Sequence, residues 1–244
     1  QADPRLGFEV NATGTVNILE ASRLAGVERV VFTSSKAVYG PIRGEHAYPT
    51  YKPLGEDHPK NPISVYDVCK VASEGMGMNY HRNYGLDFIA LRFASIYGPG
   101  KLARHGAIAQ HSKIIENSML GKPATVAKGA QERDDMIYVK DVAQGIVKAC
   151  LAKGVEHRAF NIGTGKGVTL VDMAEAVKKI YPNAQIEIGP GLNYIGWDES
   201  YFSIFDISKA RDELGYEPRY GVEEGVADYI ETMKRLNIPA QYTP

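Results

Sequence analysis

Apolar positions recur along this 244-residue chain in two alternating periods. Pro4 to Ala25 has helical spacing. Asp3 before it has the chemistry of an N-cap, Pro4 suits the first helical position, and Gly26 closes the segment. Arg29 to Ser34 holds Val-Val-Phe-Thr between turn signals, which predicts a short buried strand. The alternation continues with a helix over Ser64 to Tyr84, ended by Gly85, and a strand over Asp87 to Phe93. Tyr97-Gly98-Pro99-Gly100 breaks the chain. A helix is expected from about Ala107 to Leu120, and strands near Ala124–Ala127 and Met136–Val139. Then come a helix over Asp141–Ala152, a strand over Ala159–Ile162, and a helix from a Thr169 cap to about Ile180. Asp172 in its first turn suits the helix dipole. A strand at Gln185–Ile188, a short helix from Asp206 and Ser208 to near Gly215, and an amphipathic helix over Val222–Leu236 complete the series. Residues 40–63 have no period, and a long irregular loop in a compact domain is usually functional. Strands alternating with helices argue an α/β fold with a mainly parallel sheet.

Composition narrows the function. The hydrophobic fraction is 44%, the charged fraction 23% and the formal net charge -1, ordinary values for a globular chain. Such a balance has no basic footprint for nucleic acid and no polybasic tract for a membrane surface. No apolar run approaches the roughly 20 residues of a membrane span. Cys69 and Cys150 stand apart, and the six histidines are scattered. Neither a disulfide framework nor a metal site is expected, and a cytoplasmic setting suits this cysteine usage.

The candidate chemistry begins at Tyr66 and Lys70. Positions i and i+4 share a helix face, so an ammonium lies one turn from a phenol. Free tyrosine titrates near 10, and a nearby cation favours the phenolate. Lowering that value by about 3 units takes on the order of 4 kcal/mol, which would make Tyr66 a general acid/base. Tyr48 and Lys52 repeat the spacing in the Pro-rich loop, where helical geometry is not expected. Thr33-Ser34-Ser35 ends a predicted strand, and ligands of open α/β sheets bind at that carboxyl edge. Ser35, Tyr66 with Lys70, and Ser95 to Pro99 should all reach it.

Several stretches, taken in order, resemble the extended short-chain dehydrogenase/reductases of the NAD-dependent epimerase/dehydratase family. They are Asn11 to Asn17, Val31 to Gly40, Glu56 through Tyr66 to Lys70, Leu91 to Pro99, Ile137 to Ala143, Phe160 to Gly163, Asp206 to Ala210 and Leu214 to Pro218. The UDP-glucose 4-epimerase-like branch is the nearest in look. The resemblance implies a Rossmann-like parallel sheet with a smaller C-terminal α/β substrate domain. Residues 1–99 and 136–160 would make the first, and 100–135 and 161–244 the second. It implies that Tyr66 is the acid/base, that Lys70 lowers its pKa and binds the nicotinamide ribose, and that Ser35 holds the substrate hydroxyl. Asn11, Thr33, Ser34, Phe93, Ser95 and Ile96 would line the NAD cofactor, with NADP not excluded. The helices at residues 4–25 and 64–84 resemble those of the family's dimer bundle, which implies a homodimer. The 4,6-dehydratase and decarboxylase branches carry acidic residues where this chain has Ser35-Lys36-Ala37, so both are disfavoured.

The chain also departs from the pattern. The family's opening strand and Gly-rich pyrophosphate turn, GxxGxxG, have no match here. Gly163-Thr-Gly-Lys-Gly167 fits neither a Walker motif nor GxGxxG and reads as a loop before a helix. The expected sheet is therefore N-terminally incomplete, short of about 80 residues or one βαβαβ unit, and the missing initial Met accords with that expectation. The family's diphosphate arginine falls in register with Asp134, and Arg133 is displaced by one, which in a strand turns the side chain to the other face. A second family arginine, shortly before Asp198, is absent, and the family Asn after Arg-Phe-Ala is Ser95. Diphosphates favour bidentate arginines. Arg104, with Lys101 and His105, and Arg133 are the remaining candidates for substrate contact.

Three readings follow. The first is a sugar-nucleotide 4-epimerase acting by transient hydride transfer to NAD. The second is an NAD(P)-dependent dehydrogenase or reductase of a smaller sugar, sugar acid or lactone. The third is a non-catalytic fragment or binding module, which micromolar NAD binding would exclude.

Overall fold

The structure is a computed structural model and describes residues 3–244; Gln1 and Ala2, counted in the expected first domain, lie outside the described residues. The first helix has three parts: α1 (Pro4–Phe8), a π-turn at Glu9–Thr13, and α2 (Gly14–Leu24). Asp3 caps it by accepting the Leu6 N–H at 3.0 Å. The π-turn has no sequence signal, and it holds Asn11. Such bulges concentrate at functional sites.

Strand β1 (Arg29–Ser35) leads through the long loop to α3 (Val65–Tyr84) and back to β2 (Asp87–Phe93). A Ser64–Asp67 capping box starts α3, and Gly85 in a left-handed conformation ends it. Then follow β3 (Ser95–Tyr97), α4 (Lys101–His105), α5 (Gln110–Met119), β4 (Ala124–Val126), β5 (Met136–Tyr138) and α6 (Val139–Leu151). The chain closes with β6 (Ala159–Ile162), α7 (Leu170–Ile180), β7 (Ile186–Ile188), α8 (Ser208–Leu214) and α9 (Val222–Arg235).

Every strand pair is parallel, in the sets β1-β2-β6, β3-β5 and β4-β7. Central strand β2 is fully buried from Phe88 to Leu91, as a strand covered on both faces must be. Its register aligns Ser35 with Phe93, so both strands end at one edge. Between the Gly-Pro-Gly break and the expected helix lies α4, which periodicity does not reveal in so short a piece. The following helix starts at Gln110, not Ala107, and α6 begins at Val139, two residues early.

One core gathers Val38, Tyr39, Ile89, Leu91, Phe160 and Ile162 around the three-stranded sheet. A second gathers Ile114, Met173, Val177, Val226 and Tyr229 among the later helices. Helix α8, assigned above to the C-terminal part, packs through Ala210 and Leu214 into the first core. Among the described residues no helix is long and apolar enough to cross a membrane.

Candidate active site

Three successive turns of α3 meet three successive residues of β1. Ser35 is the polar neighbour that favours the Tyr66 phenolate. Lys70 donates to the Thr33 carbonyl at 2.7 Å. Glu74 accepts the Ser34 hydroxyl at 2.6 Å. The spacing 66, 70, 74 is the helix repeat that keeps side chains on one face. Ser35 is itself held at the strand end, where its oxygen accepts the Ala37 N–H at 3.2 Å.

The electrostatics differ from the expectation at one point. Lys70 was expected to lower the Tyr66 pKa. Instead burial pushes the phenol above its ordinary value, and Ser35 is the neighbour that draws it back. Lys70 lies over the Tyr66 ring, 5.4 Å from its centroid, and 4.8 Å from that of Phe32. Its ammonium thus faces ring surfaces and the Thr33 carbonyl. Burial lowers its own pKa. Tyr66 as a residue remains 38% exposed.

Behind this row lies a buried network. Arg92 of β2 donates to both oxygens of Glu74, at 2.9 and 2.8 Å, and Lys60 adds a contact at 2.8 Å. Burial pushes the Glu74 carboxyl up, but these cations outweigh it and hold it below its ordinary value. Arg92 also donates to the Tyr39 hydroxyl at 3.0 Å, which donates to Asn161 of β6 at 2.6 Å. Ser34, expected to line a cofactor, has its side chain buried in this network; its neighbour on the open side is Ser35. Phe93, expected in the same role, has its ring buried in the first core. Asn11 donates to the Gly7 carbonyl at 2.9 Å, and its own carbonyl accepts from Thr15 and Ser73.

A second cluster forms where β3 meets the chain before β5. Lys36 donates to Ser95 Oγ at 2.6 Å and to Asp134 at 2.8 Å. Ser95 donates to the same carboxylate, and the Tyr194 hydroxyl reaches it at 3.1 Å. Lys101 donates to the carbonyl of half-buried Ile96. Asp134 is fully buried and Arg133 exposed, the alternation expected of an extended segment. Arg104 is exposed on α4. Neither arginine is bonded to the Ser35–Tyr66 row, so the structure does not gather the two candidate substrate arginines at this edge.

The Gly163–Gly167 stretch is explained by Asp135. Its carboxylate accepts the Thr164 N–H and hydroxyl, the Gly165 N–H and the Phe205 N–H. A Cβ at Gly163 would lie 2.5 Å from that carboxylate. Burial pushes the Asp135 pKa up to about 6 despite these donors. Sequence reading missed Glu74, Arg92, Lys36 and Asp134 as site-supporting residues. Glu74 had a signal, since it continues the four-residue spacing from Tyr66 and Lys70. The others are distant in sequence and meet only through the fold. Among the described residues no group of three or more His, Cys, Asp or Glu side chains is placed to hold a metal ion.

Parallel strands ending at one edge, with a Ser, Tyr and Lys gathered there, define a Rossmann-like α/β protein with a candidate acid/base site. The chain belongs to the NAD dependent epimerase/dehydratase family, whose model matches residues 1–163. It is 34% identical over 233 residues to a UDP-glucose 4-epimerase of Mycolicibacterium smegmatis, covering 94% of this chain and 70% of the relative. The crystal structure of a Thermotoga maritima UDP-glucose 4-epimerase with UDP-glucose superposes with a TM-score of 0.80 at 27% identity, covering 97% of this chain and 73% of that one. A Thermus thermophilus UDP-glucose 4-epimerase in complex with NAD gives a TM-score of 0.76 at 28% identity, covering 96% and 72%.

Proposed function

We propose that this chain carries the acid/base site of an NAD-dependent sugar-nucleotide 4-epimerase. The observation that carries the reading is the Ser35–Tyr66–Lys70 row at the carboxyl edge of the sheet. The donor set fits the nicotinamide-ribose end of NAD or NADP: Lys70 has one N–H on Thr33 and two further donors for vicinal hydroxyls. When bound, the nicotinamide supplies the acceptance and return of hydride. Ser35 holds the reacting sugar hydroxyl. Tyr66 takes its proton as the carbon is oxidised and returns one after the ketone has turned over. Lys70 keeps a cation beside the ring as phenolate develops.

The test is incubation of the chain with UDP-galactose and NAD, followed by proton NMR of the sugar. Appearance of UDP-glucose, lost in Tyr66→Phe, supports the reading; no interconversion with cofactor bound refutes it. A second reading, a dehydrogenase of a non-nucleotide sugar acid, draws on Asp134 in the register of the diphosphate arginine and on the exposure of Arg104 and Arg133. Stoichiometric NADH from a free sugar acid, with none from UDP-sugars, would establish that reading. The homodimer remains a proposal too, supported by exposed Leu6, Val10, Ile18, Val68 and Met76 on α1 to α3; sedimentation as a monomer at micromolar concentration would refute it.

A further inference from the structure

Ser35 stands between polar anchors that lead to different parts of the fold. It ends β1 in an extended conformation and opens a short 3-10 turn over Lys36–Tyr39. Ser34 before it and Tyr39 at the far end of the turn both join the Glu74–Arg92 network of α3 and β2. Lys36 reaches the other way. Its ammonium donates to Ser95 Oγ at 2.6 Å and to Asp134 at 2.8 Å, and lies 5.5 Å from the centroid of the Phe202 ring. Phe202 belongs to the second core. Of the four turn residues, Lys36 alone has a polar side-chain bond to that side of the molecule.

Asp134 is placed to hold this ammonium still. It is fully buried. Its N–H donates to the Val168 carbonyl and its own carbonyl accepts from the Val168 N–H, both at 3.0 Å. Its carboxylate also accepts from Ser95, from the Tyr194 hydroxyl at 3.1 Å and from the Asp135 N–H at 3.1 Å. The Lys36 side chain is 16% exposed, and Asp134 is its one ion-pair partner among the described residues. A carboxylate bonded from so many directions has a fixed place, and a mostly buried ammonium with one counter-ion follows it. Lys36 is joined to Ser35 by the chain, and the Ser35 oxygen accepts the Ala37 N–H at 3.2 Å on the far side of Lys36. Movement of the Lys36 backbone therefore moves the Ser35 hydroxyl, and a displacement of about 1 Å at a reacting group can cost about 10²-fold in rate.

From this geometry we infer that Asp134 is a positioning residue for Ser35, acting through the Lys36 ammonium. The inference rests on Ser35 as the residue that holds the reacting sugar hydroxyl. Asp134→Asn keeps the shape and removes the charge. With UDP-galactose and NAD, it should lower kcat about 10- to 100-fold while KM changes less than about threefold. In a Ser35→Ala background the same substitution should have almost no further effect, because the group it positions is gone. Lys36→Met cuts the same link from the other end and should match it, with the double variant no worse than either single one. Losses that multiply in the Ser35→Ala background, or a rise in KM alone, would overturn the inference. Amide hydrogen exchange on the full chain reads the positioning without turnover. The Ala37 amide should exchange about tenfold faster in Asp134→Asn and in Lys36→Met, with the Ile89 and Leu91 amides of β2 unchanged. An unchanged Ala37 amide, or faster exchange spread through β2, would also overturn it. A wild type that binds NAD but does not interconvert UDP-sugars refutes the proposed reaction, and the Ala37 amide still decides whether Asp134 holds Ser35.

Discussion

Glu74 accepts the Ser34 hydroxyl at 2.6 Å, and that bond ties α3 to the strand residue next to Ser35. The contact sets the axial position of the helix that carries Tyr66. Ser34→Ala removes the tie but leaves Glu74 paired with Arg92 and Lys60. The expected loss is about 1–2 kcal/mol of stability by urea unfolding, with a folded native circular dichroism spectrum. Glu74→Ala leaves Arg92 buried without its partner, and a loss of about 3–5 kcal/mol is expected. Equal effects of the two substitutions would contradict this picture.

Tyr66→Phe keeps the ring and its packing but removes the exchangeable proton. Turnover in the epimerase assay should fall about 10²- to 10⁴-fold, the range typical of a lost general acid/base. Cofactor affinity should change little, because the Lys70 donors remain. A variant with wild-type turnover would remove Tyr66 from the chemistry.

Asp135 makes a pH prediction. Its folded pKa, about 6, lies above the ordinary 3.8. Between those values the folded protein keeps a proton that the unfolded chain has released. This group therefore favours the fold below pH 3.8, and its contribution is lost as pH rises to about 6. The window is worth on the order of 3 kcal/mol. Carboxyl carbon-13 NMR should find one aspartate titrating near 6, missing in Asp135→Asn; a midpoint near 4 would refute the assignment.

Gly77 lets α3 approach the sheet. A Cβ there would meet the Phe88 ring at 2.1 to 2.4 Å, and Phe88 is fully buried. Gly77→Ala should cost about 1–3 kcal/mol through overpacking, against the small gain that alanine usually brings to a helix. Thermal unfolding measures the balance, and a raised melting temperature would refute it.

Much of this protein was legible in the sequence because the signals are local. Asp3-Pro4, Gly85 and Thr169 place helix ends through caps made within a turn. The apolar runs of β2 and β6 announce buried parallel strands; the run of β1 announces a strand too, but that strand is half-buried, with Thr33 exposed and Ser34 alone buried. The pairing of Tyr66 with Lys70 follows from helix geometry alone. Tertiary structure decided whatever depends on residues far apart in the chain. It turned Arg133 outward and Asp134 inward, joined α8 to the first core, and enclosed Ser34 in the Glu74–Arg92 network. It also set the direction of the Tyr66 pKa, because desolvation depends on everything packed around the phenol, and a four-residue spacing records only one neighbour.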